Sequence, residues 1–322
     1  MKTLMILLTV LMLSPLAPGG PAWAETVDVA ARKVTEAPMI DAKVDKLWDS
    51  VKATKVIASE GPQGDVEITL KVLYTDKDVY FLFQWPDKTA SLNRLYEFDG
   101  KEWQKVKGGE DRFNLMWDIN NTIKDFSAKG CTAVCHKQDK KVILKTEAPT
   151  ERADVWHWKA QRSNPAGYAD DQWLGHELRK DGDEEIARGN DAKSAGGYAD
   201  NWDKEAKRPK YTFKEGVKPG PVLLRKDAVE IKDGKFKPGD RLPREVVEKP
   251  AGSRGDIEAK AVWERERWTL EIRRARETGD RENDVQFADA SRPHYFGISV
   301  HDNAGDEDHS HTGRTVLKLM LK

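Results

Sequence analysis

The sequence predicts a mainly β protein, an antiparallel β-sandwich with a long loop and helix insertion at about residues 120–250. Two observations carry this prediction. Apolar and polar residues alternate near both ends of the chain, which is the period of strands with one buried face. Between those ends, glycine and proline recur at short intervals among Lys and Asp residues, a composition typical of loops.

The N-terminal strands are predicted to form a hairpin. Apolar residues occupy every second position over 66–72 and again over 79–85, and the turn-forming stretch 75–78 separates the two runs. A further strand is predicted over 112–119. It places Phe113, Leu115, Trp117 and Ile119 on one face and polar residues, together with Met116, on the other.

The C-terminal strands are predicted over 257–263, 268–272, 295–300 and 315–321. Neither end of the chain holds enough strands to close a sandwich alone, because a short sheet with an uncovered apolar face is marginally stable. We therefore expect residues 25–322 to form a single domain that includes strands from both ends.

Residues 1–24 have the pattern of a cleavable signal peptide. Lys2 precedes an apolar run that ends at Leu13, breakers follow, and the segment ends in Ala22-Trp23-Ala24, the small-residue spacing that signal peptidase recognises. The run is too short to cross a bilayer, which takes about 20 residues. We expect export to the periplasm and no transmembrane segment in the mature chain, with an uncleaved anchor as the alternative.

The charge balance argues against a nucleic-acid partner. The chain has 54 Lys and Arg against 55 Asp and Glu, so no basic excess is present. The sequence also lacks a phosphate-binding loop, a nucleophile elbow and the cysteine and histidine spacing of a zinc site. We predict no catalytic residues.

The only two cysteines lie in one segment, Gly130-Cys131-Thr132-Ala133-Val134-Cys135-His136. Covalent haem needs two thiols and an imidazole below the iron, which C-x-x-C-H supplies on one helical turn. Here three residues separate the cysteines, a spacing that still places both sulfurs one turn apart on a helix. We predict one haem c attached through Cys131 and Cys135, with His136 as the proximal iron ligand.

Two alternatives remain for the cysteine pair. A disulfide between Cys131 and Cys135 is the usual outcome in an oxidising compartment, although closing so small a loop removes little entropy from the unfolded chain. A metal–thiolate site is the other alternative.

His157 is the predicted distal iron ligand, because it lies in the same insertion as His136 and between Trp156 and Trp158, which are predicted to contact the porphyrin. Met116 is the reserve ligand, since a thioether also ligates haem iron. The structural alternatives are a hydrogen-bonded histidine in an aromatic cluster and a methionine that fills a gap in the core.

His309 and His311 lie beside Asp306, Glu307 and Asp308 and form a possible metal loop. A solvated acidic turn is the simpler interpretation of this stretch.

Five further stretches resemble a known family. They are 40–48 (IDAKVDKLW), 80–87 (YFLFQWPD), 111–118 (DRFNLMWD), 151–160 (ERADVWHWKA) and 301–305 (HDNAG). They are similar to the haem-binding domain of ethylbenzene dehydrogenase gamma-type subunits and of related periplasmic cytochromes of the dimethyl sulfoxide reductase-like group. The resemblance implies a sandwich like that of some carbohydrate-binding modules, one haem, and electron transfer. The gamma subunits bind haem b through Met and Lys, so the cysteines depart from the family pattern.

We therefore predict a periplasmic mono-haem cytochrome c that transfers electrons to or from a redox partner protein, alone or as the haem subunit of a larger oxidoreductase. Two alternatives are a haem enzyme with an open iron position and a ligand- or sugar-binding module whose CxxxC segment is a disulfide.

Overall fold

The computed structural model describes residues 25–138, 141–178, 185–304, 309–313 and 315–321. The predicted signal peptide lies outside these residues. Within them, no helix is long and apolar enough to cross a membrane.

Strands dominate the described chain. They are β1 Glu25–Val29, β2 Ala31–Lys33, β3 Thr54–Ala58, β4 Val66–Tyr74, β5 Asp78–Pro86, β6 Leu95–Phe98, β7 Trp103–Lys105, β8 Glu110–Asp118, β9 Cys135–Gln138, β10 Lys141–Leu144, β11 Ala153–Lys159, β12 Asp170–Leu174, β13 Arg188–Asn190, β14 Ala195–Asp200, β15 Trp202–Asp203, β16 Arg208–Pro209, β17 Tyr211–Phe213, β18 Leu223–Leu224, β19 Ala228–Glu230, β20 Arg241–Pro243, β21 Glu245–Ala251, β22 Glu258–Trp263, β23 Arg267–Ala275, β24 His294–Ala304, β25 Ser310–His311 and β26 Thr315–Leu319. The helical segments are α1 Phe126–Lys129 and the 3-10 turns Lys46–Ser50, Ile119–Asn121, Gly130–Ala133, Asn164–Ala166, Arg225–Asp227 and Ser253–Gly255.

Two large sheets face each other. The eight-stranded sheet has the order β1-β26-β24-β8-β11-β12-β13, with β25 paired to β24, and the six-stranded sheet has the order β2-β4-β5-β23-β22, with β3 paired to β4. Both are antiparallel except where β1 joins β26 and β2 joins β4 in parallel. Each large sheet therefore combines strands from both ends of the chain, and the prediction of a mainly antiparallel β-sandwich is confirmed.

Aromatic side chains fill the space between the two sheets. Trp117 of the eight-stranded sheet is fully buried, stacks on Phe296 with ring centroids 4.2 Å apart, and meets Phe81 of the six-stranded sheet edge-on at 5.7 Å. Trp85 and Phe113 make a second stacked contact across the interface, at 4.8 Å. Such contacts combine a large buried apolar area with specific ring geometry, so they hold the sheets in one alignment.

The predicted loop and helix insertion is wrong as a description of residues 120–250. The part of this region that the structure describes contains β11 and β12, which lie inside the eight-stranded sheet, and α1 has only four residues. All seven residues of β11 are buried, because the strand has neighbours on both sides and covered faces. Alternation covers only Trp156 to Lys159 of this strand, because Asp154 occupies an inward position and Val155 an outward one, and so short a pattern did not reveal the strand.

Small sheets occupy the rest of the region. One of them, β14-β21-β18, packs beside the sandwich, and β20-β6-β7 lies next to a separate apolar cluster. That cluster is built on Tyr96, Trp103, Ile231 and Leu242.

Candidate functional site

A row of polar side chains crosses the outer face of the eight-stranded sheet. In β8, Phe113 and Leu115 are fully buried in the core between the sheets. Because neighbouring residues of a strand point to opposite faces, Asn114 and Met116 point outward. In register, Asn114 lies opposite His157 of β11 on one side and opposite Ser299 of β24 on the other.

Hydrogen bonds connect this row along the sheet. The Nδ2 of Asn114 donates to Ser299 Oγ and lies 3.0 Å from His301 Nε2. On the other side, His157 Nδ1 lies 3.0 Å from Gln172 Oε1 of β12. We call the set Asn114, His157, Gln172, Ser299 and His301 the outer-face site.

Two hydrogen-bond acceptors of the outer-face site are buried without a partner. The Oε1 of Gln172 can only accept, so Nδ1 of His157 carries the hydrogen and Nε2 presents a lone pair. This Nε2 and the Oδ1 of Asn114 have no hydrogen-bond partner. A buried polar atom left unpaired costs about 1–3 kcal/mol, so each atom is expected to meet a donor that the described residues do not supply.

The histidine of this site is neutral at physiological pH. Burial, followed by the positive charges of Lys159, Arg188 and Arg112, holds the pKa of His157 well below its usual value. The Nε2 of His157 therefore carries no hydrogen, and its lone pair can accept a hydrogen bond from a hydroxyl or amide group.

Imidazole rings continue the row towards the sheet edge. The rings of His157 and His301 are nearly parallel, with centroids 6.5 Å apart, and His309 lies 4.7 Å from His301. His311 lies 5.5 Å from His309 and its Nε2 is 3.6 Å from Glu60 Oε2. The acidic neighbours of the possible metal loop, residues 306–308, lie outside the described residues. Within the described ranges, none of the three-residue groups with metal-ligating geometry includes a histidine.

The cysteine segment packs on the same face of the sheet. Gly297 of β24 lies opposite Met116, and a Cβ added to Gly297 would lie 3.3 Å from the Cβ of Cys131. Val134 is fully buried in a cluster that includes Val155 of β11, with Met116 packed against it. Met116 therefore fills space between the sheet and the cysteine segment.

The local backbone does not present the cysteines and the histidine as a haem attachment motif. Gly130–Ala133 is a 3-10 turn, whereas Cys135 and His136 begin strand β9, so the two thiols do not lie on one helical turn. The Nε2 of His136 lies 2.9 Å from the carbonyl oxygen of Lys145 and therefore carries a hydrogen. Its Nδ1 lies 3.4 Å from Glu147 Oε1. Both ring nitrogens are thus engaged by the residues that follow β10.

Both cysteines are free thiols. Burial raises the pKa of the Cys131 thiol to about 12, and the neighbouring Cys135 thiol adds to this shift. Desolvation of its sulfur also raises the pKa of Cys135, to about 11, although the residue as a whole is exposed. Both groups are therefore protonated at neutral pH, and the disulfide of the alternative interpretation is not formed in this structure.

The structure separates the other predicted haem contacts. His157 and Met116 both lie on the outer face, on neighbouring strands. Met116 pairs with Val155, two residues before His157. Trp156 and Trp158 point to the opposite face and are buried in the core, where they contact Phe81 and Trp85. Successive side chains of a strand point to opposite faces of the sheet. The two tryptophans that flank His157 in the sequence therefore do not contact a ligand bound at His157.

Sequence reasoning missed Asn114, Gln172, Ser299 and His301 as site residues. The alternation of β8 placed Asn114 on the polar face, and that was the one available signal. The partners across the sheet come from strands far away in the sequence, so only the register brings them together.

A family model described as ethylbenzene dehydrogenase matches residues 21–313. The chain belongs to the ethylbenzene dehydrogenase family. No curated protein sequence matches this family member.

Several solved structures resemble the chain at low similarity. A family 9 carbohydrate-binding module from Caldicellulosiruptor kristjanssonii, in complex with cellotriose, is 10% identical with a TM-score of 0.36, covering 92% of this chain and 95% of its own. The same kind of module in complex with glucose is 8% identical with a TM-score of 0.34, covering 92% and 97%. A putative carbohydrate-binding protein from Bacteroides uniformis is 7% identical with a TM-score of 0.36, covering 92% and 99%. These values are too low to transfer a function.

The prediction of a mono-haem c cytochrome that transfers electrons is wrong. The chain has only two cysteines, separated by three residues instead of two, and the backbone breaks the helical turn on which the prediction depended. The alternative of a haem enzyme with an open iron position and the predicted redox partner depended on the same haem.

Proposed function

We propose that this member of the ethylbenzene dehydrogenase family is an exported, periplasmic ligand-binding module that holds a small hydroxylated molecule of the sugar class at the outer-face site. The single observation that carries the proposal is the pair of buried, unpartnered acceptors, His157 Nε2 and Asn114 Oδ1, on directly opposed residues of neighbouring strands. The leader-like pattern of residues 1–24 supports export.

The chemistry of the acceptors favours hydroxyl groups. A ligand with two neighbouring hydroxyls can donate one hydrogen to the imidazole and one to the amide oxygen, which removes the cost of both unpaired atoms. Ser299 Oγ stands next to Asn114 and adds a group that both donates and accepts. A few convergent polar groups of this kind set the orientation of a small ligand.

The charges around the site favour a neutral ligand. Lys159 forms an ion pair with Asp170, and Arg112 lies 3.9 Å from the buried carboxylate of Glu110. Lys159 and Arg112 therefore already have carboxylate partners, and His157 is neutral. A neutral polyol or sugar therefore fits better than a phosphate or a carboxylate, which would compete with Asp170 and Glu110.

Titration calorimetry with residues 25–322 and a panel of monosaccharides, cello-oligosaccharides and polyols tests this proposal. We expect saturable binding of at least one of them. Asn114→Ala removes one hydrogen bond, worth about 1 kcal/mol, so Kd should rise by about fivefold to tenfold. His157→Phe keeps a ring in place and should weaken binding to a similar extent.

Gln84→Ala is the matched control. Gln84 also stands on the outer face of a large sheet and donates to the Thr269 hydroxyl at 3.1 Å, but it belongs to the six-stranded sheet. Its removal should leave Kd unchanged. Absence of saturable binding across the panel, or an equal Kd for Asn114→Ala and Gln84→Ala, would show that water alone satisfies the two acceptors.

A further inference from the structure

Three carboxylates meet outside the outer-face site, where the end of β13 approaches the loop between β23 and β24. Asp191, Asp280 and Asp284 each offer one carboxylate oxygen, and these oxygens all lie within 4.8 Å of one another. We call this set the Asp284 trio. Asp284 also forms a second group of the same spacing with Asp154 and Asp171.

These carboxylates are withdrawn from solvent. Asp154, Asp171 and Asp284 are fully buried, and Asp191 is 4% exposed. Exposed acidic clusters are common because water and salt screen them, but burial removes that screening. Buried carboxylates at this spacing therefore need counter-charges or protons.

Among the described residues, Arg274 is the cation that forms ion pairs with this group. Arg274 is fully buried and pairs with Asp171 at 2.6 Å, with Asp284 at 2.7 Å, and with Asp256. Within the part of the chain that the structure describes, neither Asp191 nor Asp280 forms an ion pair. The ion pairs of Arg274 therefore leave two of the three carboxylates of the trio without a counter-charge among the described residues.

Two buried oxygens of the trio have no hydrogen-bond partner. The Oδ2 of Asp284 contacts Arg274, but its Oδ1 is buried and unpartnered. Asp191 accepts a hydrogen bond from the Ser253 hydroxyl through Oδ2, and its Oδ1 is likewise buried and unpartnered. A fully buried acceptor without a donor indicates a missing partner, and here two such oxygens belong to carboxylates of the same trio.

We propose that Asp191, Asp280 and Asp284 bind one calcium ion. The donor atoms of the trio are carboxylate oxygens, which calcium prefers, and zinc would select histidine or cysteine instead. Calcium accepts six to eight oxygens in irregular geometry, whereas magnesium demands a near-ideal octahedron. A trio from one strand end and one loop, completed by backbone oxygens or water, suits the larger ion.

The position of the ion explains what it would stabilise. Asp191 follows Asn190, the last residue of β13, and its backbone N–H donates to the carbonyl oxygen of Asp171 in β12. Asn190 in turn accepts a hydrogen bond from Gln172, the partner of His157. An ion between β13 and the loop at 280–284 therefore anchors the edge strand that supports the outer-face site.

The experiment uses residues 25–322 freed of divalent ions with EGTA. Calorimetric titration with CaCl2 should show one saturable site, and Tm should rise by about 5 °C at a hundredfold excess over Kd. Terbium should bind at the same place with luminescence sensitised by tryptophan, since Trp156 donates to the neighbouring Asp154 at 3.0 Å. Calcium should displace that signal.

Two substitutions separate calcium binding from a purely structural role. Asp191→Asn keeps the size of the side chain and removes a ligand charge, so the rise in Tm with calcium should disappear. The Tm without calcium should stay equal or increase, because repulsion from Asp284 ends. Asp280→Asn, in a more exposed part of the trio, should abolish the calcium response in the same way. Asp289→Asn, on the exposed surface of the same loop, is the control and should respond like the wild type.

The proposal is overturned if the wild type shows no saturable calcium binding. It is equally overturned if Asp191→Asn and Asp280→Asn keep the calcium response, or if magnesium raises Tm as much as calcium at the same concentration. The outer-face site is not part of this trio, so either proposal can fail while the other stands.

Discussion

Replacing Glu110 by Gln should destabilise the protein strongly, although the side chain keeps its size. Glu110 is fully buried at the start of β8. Its carboxylate accepts hydrogen bonds from the backbone N–H groups of Gln161 and Arg162, at 2.9 and 3.1 Å, and pairs with the Arg162 guanidinium. Arg94 and Arg112 approach the same carboxylate at 3.9 Å.

The expected loss of stability follows from the hydrogen bonds and ion pairs that a glutamine amide at position 110 cannot form. The NH2 of Gln would face either two backbone donors or the Arg162 guanidinium, so at least one hydrogen bond is lost in either orientation. The arginines also lose their shared negative partner, and removing one member of a buried ion pair costs about 3–5 kcal/mol. At about 2–4 °C per kcal/mol, Tm should fall by about 10 °C.

Chemical and thermal denaturation at pH 7 measure this change. Glu97→Gln is the control, because Glu97 pairs with Arg241 on the surface, and exposed pairs contribute about 0–1 kcal/mol. The effect of Glu110→Gln should persist at high salt, since a buried pair is poorly screened.

The pH dependence adds a sign test. Burial alone would raise the pKa of Glu110, but the charges of Arg162, Arg112 and Arg94 outweigh it and lower the pKa below its usual 4.5. A lowered pKa in the folded state stabilises the protein above pH 4.5, and this contribution is lost as the pH falls through the folded-state pKa. The difference between wild type and variant should therefore shrink in acid. A loss no larger than that of Glu97→Gln, or one that vanishes in salt, would refute this account of Glu110.

Two further predictions concern the region that covers the outer face. Burial raises the pKa of Asp118 to about 7, so its contribution to stability is present below about pH 4 and is lost as the pH rises through 7. Asp118→Asn keeps an acceptor for the Ile123 N–H, so the Tm of this variant should fall less than the Tm of the wild type when the pH is raised from 5 to 8. Equal falls in Tm would contradict this prediction. The raised pKa values of Cys131 and Cys135 leave little thiolate at pH 8. Both cysteines should therefore react more slowly than free cysteine with an aromatic disulfide reagent at this pH. A rate equal to that of free cysteine would show that neither thiol is shielded.

Local patterns in the sequence were sufficient for the sheet class and for much of the strand placement. The hairpin of β4 and β5 has its turn where the alternation breaks, and Tyr74 pairs with Val79 across it. The strand predicted over 112–119 is β8, and the predicted faces of residues 113–117 are the observed ones, whereas Ile119 lies in the 3-10 turn that follows the strand. Alternation is a local property that reports one buried face, so it can be detected without knowledge of the partner strand.

The same local reasoning failed where burial or backbone conformation depends on distant residues. β11 is covered on both faces and alternates only over its last four residues, so the sequence predicts an insertion there. The spacing of the two cysteines predicts one helical turn. In the structure the cysteine segment packs against Gly297 of β24 and forms a 3-10 turn followed by a strand. Spacing states which geometries are possible, and tertiary contacts choose among them.

The sequence by itself determined a mainly β chain with a polar face on β8. Only the tertiary structure decided which residues share a site. His157 meets Asn114 through strand register, and Asp191 meets Asp284 through the packing of a loop on a strand end. In both cases the partners are far apart along the chain. Their proximity comes from the alignment of whole strands, which is set by the summed packing of the core and not by any motif near the residues themselves.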